Sequence, residues 1–128
     1  MKNKIKKTFL IIFIFLLFKN ILFTNEFSFN AENIDITDNG NIIEAKDGTA
    51  NKKNGQISIE AKKFQYNKNL AILNAYDGDT YLIEKNIKIK ADRFIYNENT
   101  SILNAIGNVQ IKDQNKNIKI NSKNIIYD

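Results

Sequence analysis

Apolar and polar residues alternate along most of the chain after residue 26. Ile57, Ile59 and Ala61, for example, alternate with Ser58 and Glu60. A period of two is typical of a β-strand with one apolar and one polar face. Apolar stripes of helical spacing are absent from this part of the sequence. The pattern therefore predicts an all-β domain.

The strand pattern recurs every 30 residues. Segment 57–75 aligns without a gap to segment 87–105, and both follow the pattern I-x-I-x-A-x-x-F-x-Y-N-x-N-x-x-I-L-N-A. A less regular copy begins at Phe27, and a partial copy begins at Ile118 and contains the end of the sequence. Such self-similarity indicates a repeat architecture. We expect a β-hairpin unit that is repeated about three and a half times.

Within each copy the apolar phase changes by one residue. Ile57 and Ile59 are odd-numbered, whereas Phe64 and Tyr66 are even-numbered. If all of them face one interior, the strand must bend between them, which predicts a bulge or corner at residues 62–63 and again at residues 92–93. Bent strands suit a curved sheet or the corner of a two-sheet sandwich.

Turn residues fall at matched places between the predicted strands. Asn-rich segments lie at 38–41, 66–69 and 96–99. Because Asn tolerates positive φ, these segments predict hairpin turns. Asp47-Gly48 and Asp77-Gly78 predict matched breaks further along.

Composition excludes most catalytic chemistry. The 128 residues include no Cys and no His, so the usual nucleophiles, acid–base catalysts and zinc ligands are missing. Asp77-Gly78-Asp79 is similar to part of a calcium loop, but the further ligands of such a loop are absent, which favours a turn. We expect no enzymatic activity, no cofactor and no metal.

Residues 1–25 have the order of an export signal. A Lys-rich start precedes an uninterrupted apolar run at 9–18. This run is about half of the roughly 20 residues that a membrane-spanning helix needs, which favours a signal peptide. Because no A-x-A cleavage site lies near residues 24–27, an uncleaved anchor is the alternative. In both cases residues 26–128 form the exported domain.

The net charge of +5 belongs to the N-terminal segment. Five of the 19 basic residues precede residue 26 and all 14 acidic residues lie at or beyond it, so residues 26–128 carry 14 charges of each sign. A neutral domain whose aromatic residues recur in the apolar phase lacks the basic surface that nucleic acid requires. We expect no nucleic-acid partner.

The apolar residues have two interpretations. They can fill a core, which is the commonest place for such side chains. Repeated Phe and Tyr are bulky for so thin a domain, however, and they would line a groove for acyl chains if two sheets splay apart. The predicted groove-lining residues are Ile57, Ile59, Phe64, Tyr66, Ile87, Ile89, Phe94, Tyr96, Leu103, Val109, Ile118 and Ile120.

The lysines that alternate with these residues also have two interpretations. Lys88, Lys90, Lys119 and Lys123 are predicted to point outward. A solvated face that protects the sheet edge is the simpler interpretation. A basic rim that binds phosphate is the alternative.

The repeated pattern, clearest at residues 87–111, is similar to the OstA-like domain of the lipopolysaccharide transport (Lpt) proteins. This domain occurs as the periplasmic bridge protein LptA, as the N-terminal part of the outer-membrane translocon LptD and, in related form, in the membrane-anchored LptC. The resemblance covers residues 27–128 and implies an open β-jellyroll that takes the acyl chains of lipopolysaccharide. It also implies edge-to-edge β-strand pairing with other Lpt jellyroll proteins.

The resemblance leaves the type of component open. The first copy begins directly after the signal, which slightly favours a translocon-type N-terminal domain over a bridge protein. A membrane-anchored LptC-like component is an alternative, as is a structural β-repeat with a closed core and no lipid ligand.

Overall fold

The computed structural model describes residues 27–128, which form one antiparallel β-sheet. Its seven strands are ordered β1 to β7 as they occur along the chain, so each strand pairs with its sequence neighbours. The prediction of an all-β domain is confirmed. The predicted signal segment, residues 1–25, lies outside the described residues. The strands are β1 Phe27–Thr37, β2 Ile42–Lys52, β3 Ile57–Asn67, β4 Ile72–Leu82, β5 Ile87–Asn97, β6 Ile102–Asp113 and β7 Ile118–Tyr127, with a short 3-10 turn at Asp38–Gly40 after β1.

The strands follow the sequence repeat. Odd-numbered strands begin at residues 27, 57 and 87, and even-numbered strands at 42, 72 and 102. The seventh strand begins one residue late, at 118, because β6 contains 12 residues where β2 and β4 contain 11. The β6–β7 register shifts between Ile106 and Val109, which places the extra residue in a bulge at Gly107 and Asn108.

Strands β3 and β5 bend where the apolar phase of their sequence changes. In β3, Ile59 and Phe64 are both fully buried, although they differ in parity. At residues 62–63 both neighbouring strands keep their register, so this bend is a corner without an inserted residue. At residues 92–93 the register with β4 is kept, and the shift against β6 between Lys90 and Arg93 comes from the extra residue of β6. This bend of β5 is therefore also a corner, and it faces the bulge of β6.

The Asp-Gly pairs form the corners of the even-numbered strands. Asp47-Gly48 and Asp77-Gly78 lie inside the continuous strands β2 and β4, not at breaks between strands. Asp77 has a φ of 53°, in the left-handed region that Asp tolerates better than most residues. A Cβ on Gly78 would collide with the carbonyl oxygen of Glu60 and lie 2.8 Å from the Cβ of Ala61. Glycine is therefore required by the close approach of β3.

The predicted hairpin turns are present, but Asn acts in two ways. Asn39, in the β1–β2 connection, has positive φ, as expected. In the β3–β4 connection the positive φ belongs to Ala71, while the side chain of Asn67 accepts a hydrogen bond from the backbone N–H of Leu70. Asn97 accepts equivalent bonds in the β5–β6 connection. These Asn residues fix the turns through their side chains.

The corners divide the sheet into two halves. The lower half lies beside the β2–β3, β4–β5 and β6–β7 connections, and the upper half lies beside the β1–β2, β3–β4 and β5–β6 connections. Phe27 of the lower half and Tyr96 of the upper half are on β1 and β5, which would be about 19 Å apart in a flat sheet. Their ring centroids are 5.3 Å apart. The sheet therefore folds along the corners, and the inner faces of its halves enclose the core.

Candidate functional site

Most of the predicted groove-lining residues lie in the core between the two halves. Ile87 is half-buried, and Ile118 and Ile120 are exposed. The buried residues among the predicted twelve are Ile57, Ile59, Phe64, Tyr66, Ile89, Phe94, Tyr96, Leu103 and Val109. These nine side chains pack against other residues of the core. Their assignment to a lipid groove stays a prediction.

Aromatic rings join the two halves. Phe27 packs edge-on against Tyr66 at 6.4 Å as well as against Tyr96, and Phe29 packs edge-on against Phe64 at 5.8 Å. In each pair the β1 residue belongs to the lower half and its partner to the upper half. Edge-to-face pairs of this kind contribute beyond their buried area, so β1 holds the fold closed over the middle of the sheet.

A lysine enters this apolar interior. Lys52, at the end of β2, is buried, and its Nζ donates a hydrogen bond of 2.6 Å to the hydroxyl of Tyr96. Nearby, Tyr66 donates a 2.7 Å hydrogen bond to Glu98 Oε1. The sequence interpretation missed Lys52, although the 30-residue repeat aligns it with the buried Leu82.

A cavity of about 260 Å³ lies beside Lys52. It is lined by lower-half residues, including Leu82 and Lys85, and by upper-half residues, including Tyr96 and Tyr127. Lys85 Nζ is 4.8 Å from the centroid of the Tyr127 ring. The cavity is therefore a mixed polar and apolar space between the tips of the two halves.

The inner face remains apolar at both edges of the sheet but is uncovered there. On β7, Ile120 is 50% exposed and pairs with Ile111, which in turn pairs with the buried Ile89. On β1, the exposed Ile36 pairs with the buried Ile43. Because directly paired residues share a face, Ile36 and Ile120 continue the core surface outward.

The two edges carry opposite charges. Strand β1 contains Glu32 and Asp35 and no basic residue, whereas β7 contains Lys119 and Lys123 and no acidic residue. Within residues 27–128, β1 and β7 each have one neighbouring strand and so leave one side without a ladder.

The outward lysines lie on the face opposite the core. Lys88 and Lys90 flank the buried Ile89. Lys88 forms a 3.2 Å ion pair with Asp79. Hydrogen bonds to Tyr81 and Asp79 raise the pKa of Lys88 above its usual value.

No protein-family model matches the chain, and no curated protein matches it.

Among residues 27–128, no helix has the length and apolar character to cross a membrane. The same residues contain no group of three or more acidic side chains placed to hold a metal ion. Asp77 and Asp79 belong to the β4 strand, where Asp79 pairs with Lys88.

Proposed function

We propose that the chain is a periplasmic lipopolysaccharide-binding and transport module of the OstA-like type, in which acyl chains lie on the inner face of an open β-jellyroll. One observation carries the proposal: the apolar inner face runs uncovered to both edges, at Ile34 and Ile36 on β1 and at Ile118 and Ile120 on β7. Apolar surface that continues outward from a core is suited to an apolar ligand.

The module would pass its cargo to neighbours of the same fold. The unpaired sides of β1 and β7 offer backbone hydrogen bonds to another strand. Their opposite charges favour a join between β7 of one domain and β1 of the next. The exposed isoleucines of both strands would meet at such a join and make the apolar surface continuous between domains.

In this function the chain performs no catalysis and needs no cofactor. Residues 1–25 would export it as a signal peptide or hold it at the inner membrane as an anchor. Residues 26–128 have balanced charge, which suits a partner recognised by apolar contact and strand pairing, and not nucleic acid. The translocon-type N-terminal domain, the bridge protein and the membrane-anchored component would all use the surface in the same way.

A structural β-repeat with a closed core is the second candidate function. The burial of nine of the twelve predicted groove residues favours it, because a core already filled by its own side chains leaves acyl chains only the cavity and the edges. A closed scaffold would bind no lipid on its inner face.

Photo-crosslinking separates these two functions. A photo-reactive residue replaces Ile120, which is 50% exposed on the inner face, or Ile126, which is 75% exposed. Ile126 pairs with Asn104, whereas its neighbour Ile125 pairs with the buried Ala105, so Ile126 is on the outer face of the same strand.

We expect lipopolysaccharide to be captured at position 120 and not at position 126. Capture at position 36, on the opposite edge, would extend the path to β1. Equal labelling at positions 120 and 126 would mean non-specific adhesion to exposed apolar groups, and absence of labelling at position 120 would favour the closed scaffold.

A further inference from the structure

Three lysines lie directly opposite one another on the outer face of the lower half. Lys88 on β5 pairs with Lys112 on β6, and Lys112 pairs with Lys119 on β7. We call these three residues the lysine ladder. Directly opposed side chains have Cβ atoms only about 5 Å apart, and like charges at that spacing destabilise a sheet.

The lysine ladder lines a concave surface. Its three residues line a cavity of about 410 Å³ together with Lys90, Asp79 and Gln110, and Ile111, Asn117 and Ile118 complete the lining. Lys90 lies in the next row on the same face, between Asp79 on β4 and Gln110 on β6. The cavity thus gathers four ammonium groups and one carboxylate.

The charges in this cavity are not balanced by the protein. Asp79 is paired with Lys88, and within residues 27–128 no carboxylate forms an ion pair with Lys90, Lys112 or Lys119. Glu60 lies beyond Asp79 on β3 and does not line the cavity. Because residues 26–128 carry equal numbers of basic and acidic groups, this local excess of positive charge is a feature of the site and not of the domain.

We propose that the lysine ladder and Lys90 form a binding site for phosphate groups. An anion placed over the ladder offsets the repulsion between opposed ammonium groups, and each lysine supplies three donors to phosphate oxygens. Asp79 fixes Lys88 at one side of the cavity, and the amide of Gln110 adds a neutral donor. The four lysines lie on the opposite face of the sheet from Ile120, although Ile118 of the proposed acyl-binding surface also borders the cavity.

The test compares two lysine-to-glutamine triples in the full chain. K90Q/K112Q/K119Q removes the unpaired lysines of the cavity. K46Q/K62Q/K63Q removes the same charge from exposed positions on β2 and β3 that do not line the cavity. Because Lys46 and Lys63 pair directly, this triple also controls for opposed lysines outside the cavity. Amide chemical shifts are followed during titration with inorganic pyrophosphate, dihexanoyl phosphatidylglycerol and, as the zwitterionic control, dihexanoyl phosphatidylcholine.

We expect shifts centred on Lys88, Lys112 and Lys119 in the natural protein, and an affinity that falls about tenfold or more in K90Q/K112Q/K119Q but not in K46Q/K62Q/K63Q. Saturation by pyrophosphate identifies a site for free phosphate compounds, and saturation by phosphatidylglycerol alone identifies a site for lipid headgroups. Failure of both to bind, or equal loss in the two triples, would overturn the proposal.

Thermal stability provides a second measurement. Lys112 is the middle residue of the ladder, so K112Q should raise the melting temperature at low salt in the absence of any anion. Pyrophosphate should raise the melting temperature of the natural protein more than that of K112Q. A K112Q variant that is less stable than the natural protein and equally responsive to pyrophosphate would contradict the proposal.

Discussion

Lys52 on β2 donates its hydrogen bond to Tyr96 on β5 across the inside of the folded sheet, at 2.6 Å. The ammonium group also lies 5.1 Å from the centre of the same ring. The two residues belong to opposite halves of the sheet. A charged hydrogen bond between them stabilises the folded-over arrangement in addition to the surrounding aromatic contacts.

Replacing Tyr96 by Phe should weaken this connection while keeping the ring. Because Lys52 is buried, losing an acceptor costs part of its desolvation free energy, and we expect the free energy of unfolding to fall by about 1–3 kcal/mol. Urea denaturation measures the change. The control is Tyr76→Phe, since the Tyr76 hydroxyl has no hydrogen-bond partner in residues 27–128 and its ring still faces Arg93. Equal losses in both variants would show that the Lys52 bond adds nothing.

The alternation of apolar residues was sufficient to predict the strands, their hairpin order and the bends of the odd-numbered strands, because these features depend on neighbours within one 30-residue copy. The Asp-Gly corners of the even-numbered strands were wrongly predicted as breaks. The change of parity between Ile59 and Phe64 is a local signal with a local consequence. The contact between Phe27 and Tyr96 is different. It depends on how far the sheet closes over five strands, which no single copy determines.

The sequence predicts the face of the sheet on which Lys52 lies but not its hydrogen-bond partner. Its alignment with the buried Leu82 in the 30-residue repeat marks it as an inner-face residue. The alternation of apolar residues alone, however, does not indicate which tyrosine hydroxyl accepts a hydrogen bond from the buried ammonium group. The extra residue of β6 was also missed, because the sequence beyond Ala105 departs from the repeat and the pattern alone did not locate the insertion.

A methyl group at Gly78 should damage the corner of β4. The new Cβ would meet the Glu60 carbonyl and the Ala61 side chain of β3, and backbone on both strands would have to move apart. We expect Gly78→Ala to lower the free energy of unfolding by about 3 kcal/mol. Gly55→Ala is the control, because its Cβ meets nothing within 4 Å and only its φ of +74° is unfavourable, at a cost of roughly 1 kcal/mol. The reverse order would mean that β3 and β4 separate easily at the corner.

The hydroxyl of Thr80 should be unfavourable in the core. Thr80 is fully buried between its cross-strand partners Ile59 and Ile89, and its Oγ1 has no hydrogen-bond partner in the described part of the chain. Thr80→Val keeps the shape of the side chain and removes the unsatisfied group, so we expect a gain of about 1 kcal/mol in the free energy of unfolding. Thr100→Val, at an exposed turn position, should change stability by less than about 0.5 kcal/mol. Destabilisation by Thr80→Val would reveal a partner for the hydroxyl.

Edge-to-edge association should depend on the opposite charges of β1 and β7. Asp35→Lys changes the net charge of β1 from −2 to zero, and Lys123→Glu changes that of β7 from +2 to zero, so each variant alone should self-associate about tenfold more weakly than the natural protein at low salt. In an equimolar mixture, the unaltered β7 edge of the Asp35→Lys variant, with a charge of +2, can face the unaltered β1 edge of the Lys123→Glu variant, with a charge of −2. Sedimentation velocity should therefore show association restored in the mixture. Lys63→Glu, which alters an exposed position on β3 that pairs with neither edge strand, should leave association unchanged. If the mixture stays as weak as its components, the charges of Asp35 and Lys123 do not direct the join, and pairing between β7 and β1 loses its support.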